Sequence, residues 1–143
     1  MKQLNIGDIA PWFSEMDKHK GRKIVLYFYP KDNTPGCTDE ACSLRDNYQK
    51  FLADGYEIFG VSADSEKSHI GFKAKHQLPF DLIADPEHKI IDAYECWGEK
   101  KMYGKTYFGI LRKTFVIDEN GKIEKIFEKV NTKNHAAQIF GEI

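Results

Sequence analysis

Ile24-Val25-Leu26-Tyr27-Phe28-Tyr29 runs straight into Pro30-Lys31-Asp32-Asn33-Thr34-Pro35-Gly36 and then Cys37. The first six residues are β-branched or aromatic with no polar break. Such a run marks a strand buried on both faces, as at the centre of a sheet covered by helices. The next seven, dense in Pro, Asn, Asp and Gly, are loop chemistry. From Cys37 to Leu52 the apolar positions Cys37, Ala41, Leu44, Tyr48 and Phe51 recur at three- and four-residue spacing. They form one stripe of a helix. Strand, loop and helix in this order begin a βαβ crossover.

The following residues continue the alternation. Tyr56 to Val61 reads as a second buried strand. Ser62 to Ser65 offers caps for a helix through about His76, with Ile70 and Ala74 facing inward. Phe80 to Ala84 reads as a short strand and Pro86 to Tyr94 as a short helix. Residues 95 to 110 read as a long connection rich in Gly, Lys and aromatics. Thr114 to Ile117 is again apolar, and Asn120-Gly121 is a hairpin turn into Ile123 to Phe127. A last helix starts near Asn134. The first half requires parallel strands with right-handed crossovers, and the hairpin adds antiparallel ones. The expected fold is α/β: one domain over residues 1–143, with a thioredoxin-like mixed β-sheet and helices on both faces.

Composition narrows the function. The 143 residues carry 21 basic and 22 acidic side chains, a formal net charge of −1. That balance exerts no general pull on nucleic acid or an anionic membrane. No apolar stretch approaches the roughly 20 residues needed to cross a bilayer, and the N-terminus has no apolar run to serve as a signal core. The chain is therefore expected in the cytoplasm, where it is made. Three cysteines are too few, and odd in number, for a disulfide scaffold. In a reducing compartment, two close together point to metal binding or catalysis.

In sheets of this kind the functional crevice lies beyond the carboxyl ends of the parallel strands. Cys37 stands there, at the expected start of a helix. Unpaired backbone N–H groups and the positive end of the helix dipole favour the thiolate, so its pKa is expected below the free value of about 8.5. The plain alternative is a small buried hydrophobe at the head of the apolar stripe; the Thr34-Pro35-Gly36 turn before it and the second thiol after it weigh against that. Cys42 lies five residues on, about 140° round the helix. Five-residue spacing is not Cys-x-x-Cys, and no second pair of ligands stands at zinc spacing. His69 and His76 lack such a cluster too, and read as structural or surface residues.

The segment Pro30-Lys31-Asp32-Asn33-Thr34-Pro35-Gly36-Cys37-Thr38 resembles the active-site segment of peroxiredoxins. With Cys42, Leu44, Arg45 and Asp46, the chain is similar to the bacterioferritin comigratory protein, or peroxiredoxin Q, subfamily. Trp97 to Lys101, Tyr103 to Tyr107, and Gly109 to Arg112 running into Thr114 to Asp118 extend the resemblance over nearly the whole chain from Ile24. It implies that Cys37 is the peroxidatic cysteine, which attacks a peroxide oxygen and becomes a sulfenic acid. Thr34 would hydrogen-bond the thiolate and the peroxide, Pro30 would shield the pocket, and Arg112 would polarise the peroxide. On the residues alone, Arg112 would pass for a surface or strand-edge charge. Cys42 would be the resolving cysteine, forming an intramolecular disulfide that thioredoxin or a similar dithiol reduces. The resemblance implies a monomer and no metal or organic cofactor.

Two departures stand out. Only Ser14 to Lys23 bridges the region between Phe13 and Ile24, where the family has a longer segment folded as an extra hairpin, so the N-terminal hairpin is expected to be shortened. Cys96 occupies a position expected to be apolar and reads as a packing residue; Trp97 reads as a structural anchor. The leading expectation is reduction of hydrogen peroxide or alkyl hydroperoxides. The rivals are a peroxide-responsive redox sensor with little turnover and a binding domain with a vestigial site.

Overall fold

A computed structural model describes residues 4–142. The apolar run from Ile24 lies in strand β1 (Lys23–Phe28), followed by α1 (Pro35–Asp46), α2 (Tyr48–Ala53), β2 (Tyr56–Ser62), α3 (Glu66–His76), β3 (Asp81–Ala84) and α4 (Lys89–Ala93). A hairpin, β4 (Trp97–Met102) and β5 (Lys105–Ile110), leads to β6 (Lys113–Ile117), β7 (Ile123–Phe127) and α5 (His135–Phe140). Five strands form the main sheet in the order β3-β2-β1-β6-β7. β1, β2 and β3 are parallel, while β6 and β7 are antiparallel. This is the mixed α/β sheet the element order implied.

β1 lies at the centre, and its alternating side chains feed two cores. Ile24, Leu26 and Phe28 pack with Phe59, Val61, Ile91, Tyr94 and Phe115. Val25, Tyr27 and Tyr29 pack on the other face with Cys37, Ala41 and Leu44 of α1, Phe51 of α2, Phe72 of α3 and Ile139 of α5. Burial on both faces explains the unbroken apolar run. It also places Cys37 in a core formed by most of the helices.

Several expectations need correction. The helix expected over Cys37 to Leu52 begins at Pro35 and breaks at Asn47, whose side chain bonds the Ser43 carbonyl at 2.9 Å. In α3, Ile70 is 70% exposed and Ala74 is exposed; His69 and Phe72 face inward instead. The buried hydrogen bonds of His69 set that rotation. Residues 95–110 are largely a hairpin, turned at Tyr103-Gly104 with φ of 52° and 76°. Two successive left-handed residues are what a tight hairpin turn requires. Trp97 is 43% exposed, with its ring centroid 4.7 Å from that of His88. It is therefore no core anchor. Among the described residues the N-terminal segment contributes only a 3-10 turn (Ser14–His19) and the single bridge Ile9 to Lys122, a shortened edge as expected.

Candidate active site

The site is assembled where β1 ends. Thr34, in extended backbone, is the N-cap residue of α1, and Pro35 takes the first helical position. Proline's fixed φ suits that position and its missing N–H costs nothing there, so the helix starts two residues before Cys37. The Thr38 N–H closes the first turn on the Thr34 carbonyl at 2.8 Å. Cys37 thus lies inside the first turn, where amides lack intrahelical acceptors and the helix dipole is positive. It is a free cysteine, 1% exposed.

Arg112 approaches from the strand beside β1. β6 runs antiparallel to β1 with Lys113 opposite Phe28, which brings the residue before β6 to the carboxyl end of β1. Its Nη2 donates to Cys37 Sγ at 3.2 Å and its Nη1 to Glu40 Oε1 at 2.7 Å. Gly36 makes room for this: a Cβ there would stand 3.3 Å from Nη2. Lys100 on β4 reaches the Ile110 carbonyl at 2.9 Å. Burial, and then the charge of Arg112, hold Lys100 below the usual lysine range.

Sequence reasoning did not single out Glu40. It follows Cys37 by three residues, on the buried face of α1, and is fully buried. An acid on an apolar helix face was the available signal. Burial pushes its carboxyl up to about 7, with Arg112 pulling the other way. Asp32, also not singled out, anchors the loop. Its carboxylate takes hydrogen bonds from Tyr29 Oη at 2.7 Å and Ser68 Oγ at 2.8 Å, and meets His69 Nδ1 at 2.7 Å. Burial alone would raise its pKa; the hydrogen bonds from His69, Tyr29 and Ser68 outweigh that and hold it below the usual value.

The Thr34 hydroxyl donates to the Lys31 carbonyl at 2.9 Å rather than to Cys37. Pro30 is half-buried where β1 enters the loop. Cys42 is a free, half-buried thiol on the same helix as Cys37. Cys96 is fully buried, and burial pushes its thiol up to about 12, which suits packing. Among the described residues, Asp32, Asp64 and His69 alone have ligand atoms gathered closely enough for a cation, within 4.8 Å. Those atoms already meet one another and the protein: Asp64 Oδ2 accepts from the Asp32 N–H and the Ser62 hydroxyl.

Residues 7–126 match the AhpC/TSA family. Peroxiredoxin Bcp of Bacillus subtilis is 50% identical over 124 residues, 87% of this chain and 79% of that protein. Peroxiredoxin Bcp of Escherichia coli is 42% identical over 144 residues, 94% of this chain and 92% of that one. Among solved structures, Xanthomonas campestris bacterioferritin comigratory protein superposes with a TM-score of 0.81 at 38% identity, covering 88% of this chain and 80% of that one. A mutant of Xylella fastidiosa PrxQ gives 0.87 at 30% identity, covering 99% and 96%. With the sheet order and the Cys37 helix already described, these matches show that the chain belongs to the AhpC/TSA family, in its peroxiredoxin Bcp, or peroxiredoxin Q, branch.

Proposed function

We propose that this chain is a thiol peroxidase in which Cys37 is the nucleophile and Cys42 resolves the oxidised product. The contact of Arg112 Nη2 with Cys37 Sγ at 3.2 Å, inside the first turn of α1, carries the reading. The Cys37 thiolate attacks one peroxide oxygen, and the S–O bond forms as the O–O bond breaks. Sulfur is oxidised, the peroxide is reduced, and the departing oxygen takes a proton to leave as water or an alcohol. Negative charge grows on that oxygen, and preorganised donors aimed at it supply much of the acceleration. A fixed guanidinium and the first-turn amides are such donors. Thr34 completes the set once its hydroxyl turns from Lys31 toward the sulfur, and Pro30 limits solvent access.

The Cys42 thiolate then attacks the Cys37 sulfenic acid, expelling water and forming an intramolecular disulfide. A dithiol protein of the thioredoxin kind returns both thiols. One domain, working as a monomer in the cytoplasm, suffices. Alkyl peroxide reduction is described for the Xanthomonas campestris bacterioferritin comigratory protein, which favours testing alkyl hydroperoxides beside hydrogen peroxide. The decisive assay follows NADPH with thioredoxin, thioredoxin reductase and each peroxide. Sustained consumption supports the enzyme; one stoichiometric burst would instead support a redox sensor.

A further inference from the structure

Among the described residues, Oε2 of Glu40 is a buried polar atom with no hydrogen-bond partner. It faces His135 Nε2 across 3.6 Å, and both side chains are fully buried. The tautomer of that histidine follows from its neighbours. Gln138 Nε2 donates to the Lys129 carbonyl at 2.8 Å, and Gln138 Oε1 accepts from the Asn131 N–H at 2.9 Å. The oxygen is therefore what meets His135 Nδ1 at 2.8 Å, so Nδ1 carries a hydrogen. A neutral ring then presents a lone pair at Nε2, where the Thr114 hydroxyl lies at 2.7 Å. That lone pair takes the Thr114 proton, so His135 offers Glu40 Oε2 no donor, and an ionised carboxylate would leave a charged oxygen unpaired in a buried spot.

We infer that Glu40 works as a neutral carboxyl, leaving the charge of Arg112 to the Cys37 sulfur. The inference rests on the reading of Cys37 as a thiolate nucleophile. One guanidinium contacts both Cys37 and Glu40; two anions there would share a single cation, whereas a neutral Glu40 leaves the pair balanced. Glu40 Oε1 still accepts from Arg112 Nη1 and holds its fork in place. The groups around Glu40 are Cys37 on its own helix, Arg112 before β6, His135 on α5 and the buried Tyr27 hydroxyl on β1, with Lys100 on β4 interacting with Arg112 and Cys37. Burial raises Glu40 to about 7 and lowers His135 to about 4, so the proton belongs on the carboxyl rather than the ring.

Infrared spectroscopy of the full-length reduced protein, without peroxide, tests this directly. At pH 6 the wild type should show the C=O stretch of a protonated carboxyl. That band should vanish as pH rises through about 7 and be missing in Glu40→Gln. In Cys37→Ser the band should be lost at lower pH, because the negative sulfur that favours the neutral acid is gone. The rate of peroxide oxidation in the wild type should carry the same inflection, which Glu40→Gln should lack. A wild-type spectrum at pH 6 with no band sensitive to Glu40→Gln would overturn the inference. So would a Cys37→Ser band with the same titration midpoint as the wild type. No peroxide enters the spectroscopic experiment, so a failure of Glu40 to hold a proton is distinguishable from a failure of Cys37 to act as nucleophile.

Discussion

Arg112 touches the two groups that matter most in the site, the Cys37 sulfur and the Glu40 carboxyl. Replacing it with alanine removes a preorganised donor, so peroxide oxidation should slow by roughly 10²–10³-fold while the far-UV spectrum stays unchanged. Lysine should recover only part, because one ammonium cannot reproduce a fork that serves two partners. Gly36→Ala should also slow the reaction several-fold, since a Cβ at 3.3 Å from Nη2 would displace a guanidinium tied at both ends. Stopped-flow oxidation rates check all three; unchanged rates in Arg112→Ala would place the residue outside the chemistry. Cys37 and Arg112 were legible because a long segment resembling a known family surrounds each. Glu40, Asp32 and His135 were not. An acid or histidine is tolerated in a core only when partners from other elements reach it, and here those partners come from β6, α3 and α5.

At the scale of elements, the proposed cycle asks two incompatible geometries of α1. In a helix, residues five apart have Cα atoms roughly 8.7 Å apart, beyond the roughly 6.8 Å limit for a disulfide. Both cysteines lie within α1, so its first turns must unwind before Cys37 and Cys42 join. Oxidised protein should therefore show faster amide exchange across residues 37–46 and less far-UV helix signal. Identical exchange in both states, with the disulfide proven, would contradict this. The loop preceding α1 is held by a different device. His69 Nε2 faces the Ile83 carbonyl at 3.2 Å and must donate to it, while Nδ1 meets Asp32 at 2.7 Å. His69→Ala would take one of three hydrogen-bond partners from a buried carboxylate and should cost about 2 kcal/mol, read from urea midpoints. A loss below about 0.5 kcal/mol, the range of ordinary surface changes, would mean that Asp32 is held without it. Strand β1 was legible because burial on both faces leaves an unbroken apolar signature. The β4–β5 hairpin was not: most of β5 is exposed, so no alternation of apolar and polar residues marks it.

Across the whole molecule, stability should depend on pH through the same buried pair. The folded pKa of Glu40 is raised from 4.5 to about 7. Its contribution is therefore full below about 4.5 and is lost as pH rises through about 7. His135 is lowered from 6.5 to about 4, so its contribution is full above 6.5 and is lost as pH falls through about 4. Glu40→Gln removes the first dependence. Relative to wild type it should gain stability between pH 5 and pH 8, up to about 3 kcal/mol, and urea unfolding at the two pH values measures it. An equal difference at both would mean that Glu40 does not titrate in the fold. The mixed sheet and the family are shown, and the proposed function rests on one sulfur, that of Cys37. The direct test is to treat Cys42→Ser protein with one equivalent of peroxide, trap sulfenic acid with a dione reagent, and locate the adduct by mass spectrometry. One peroxide should be consumed per chain, with the adduct on Cys37 and both lost in the Cys37→Ser protein. An adduct on Cys96, or undiminished peroxide consumption by Cys37→Ser, would contradict the assignment of Cys37 as the nucleophile.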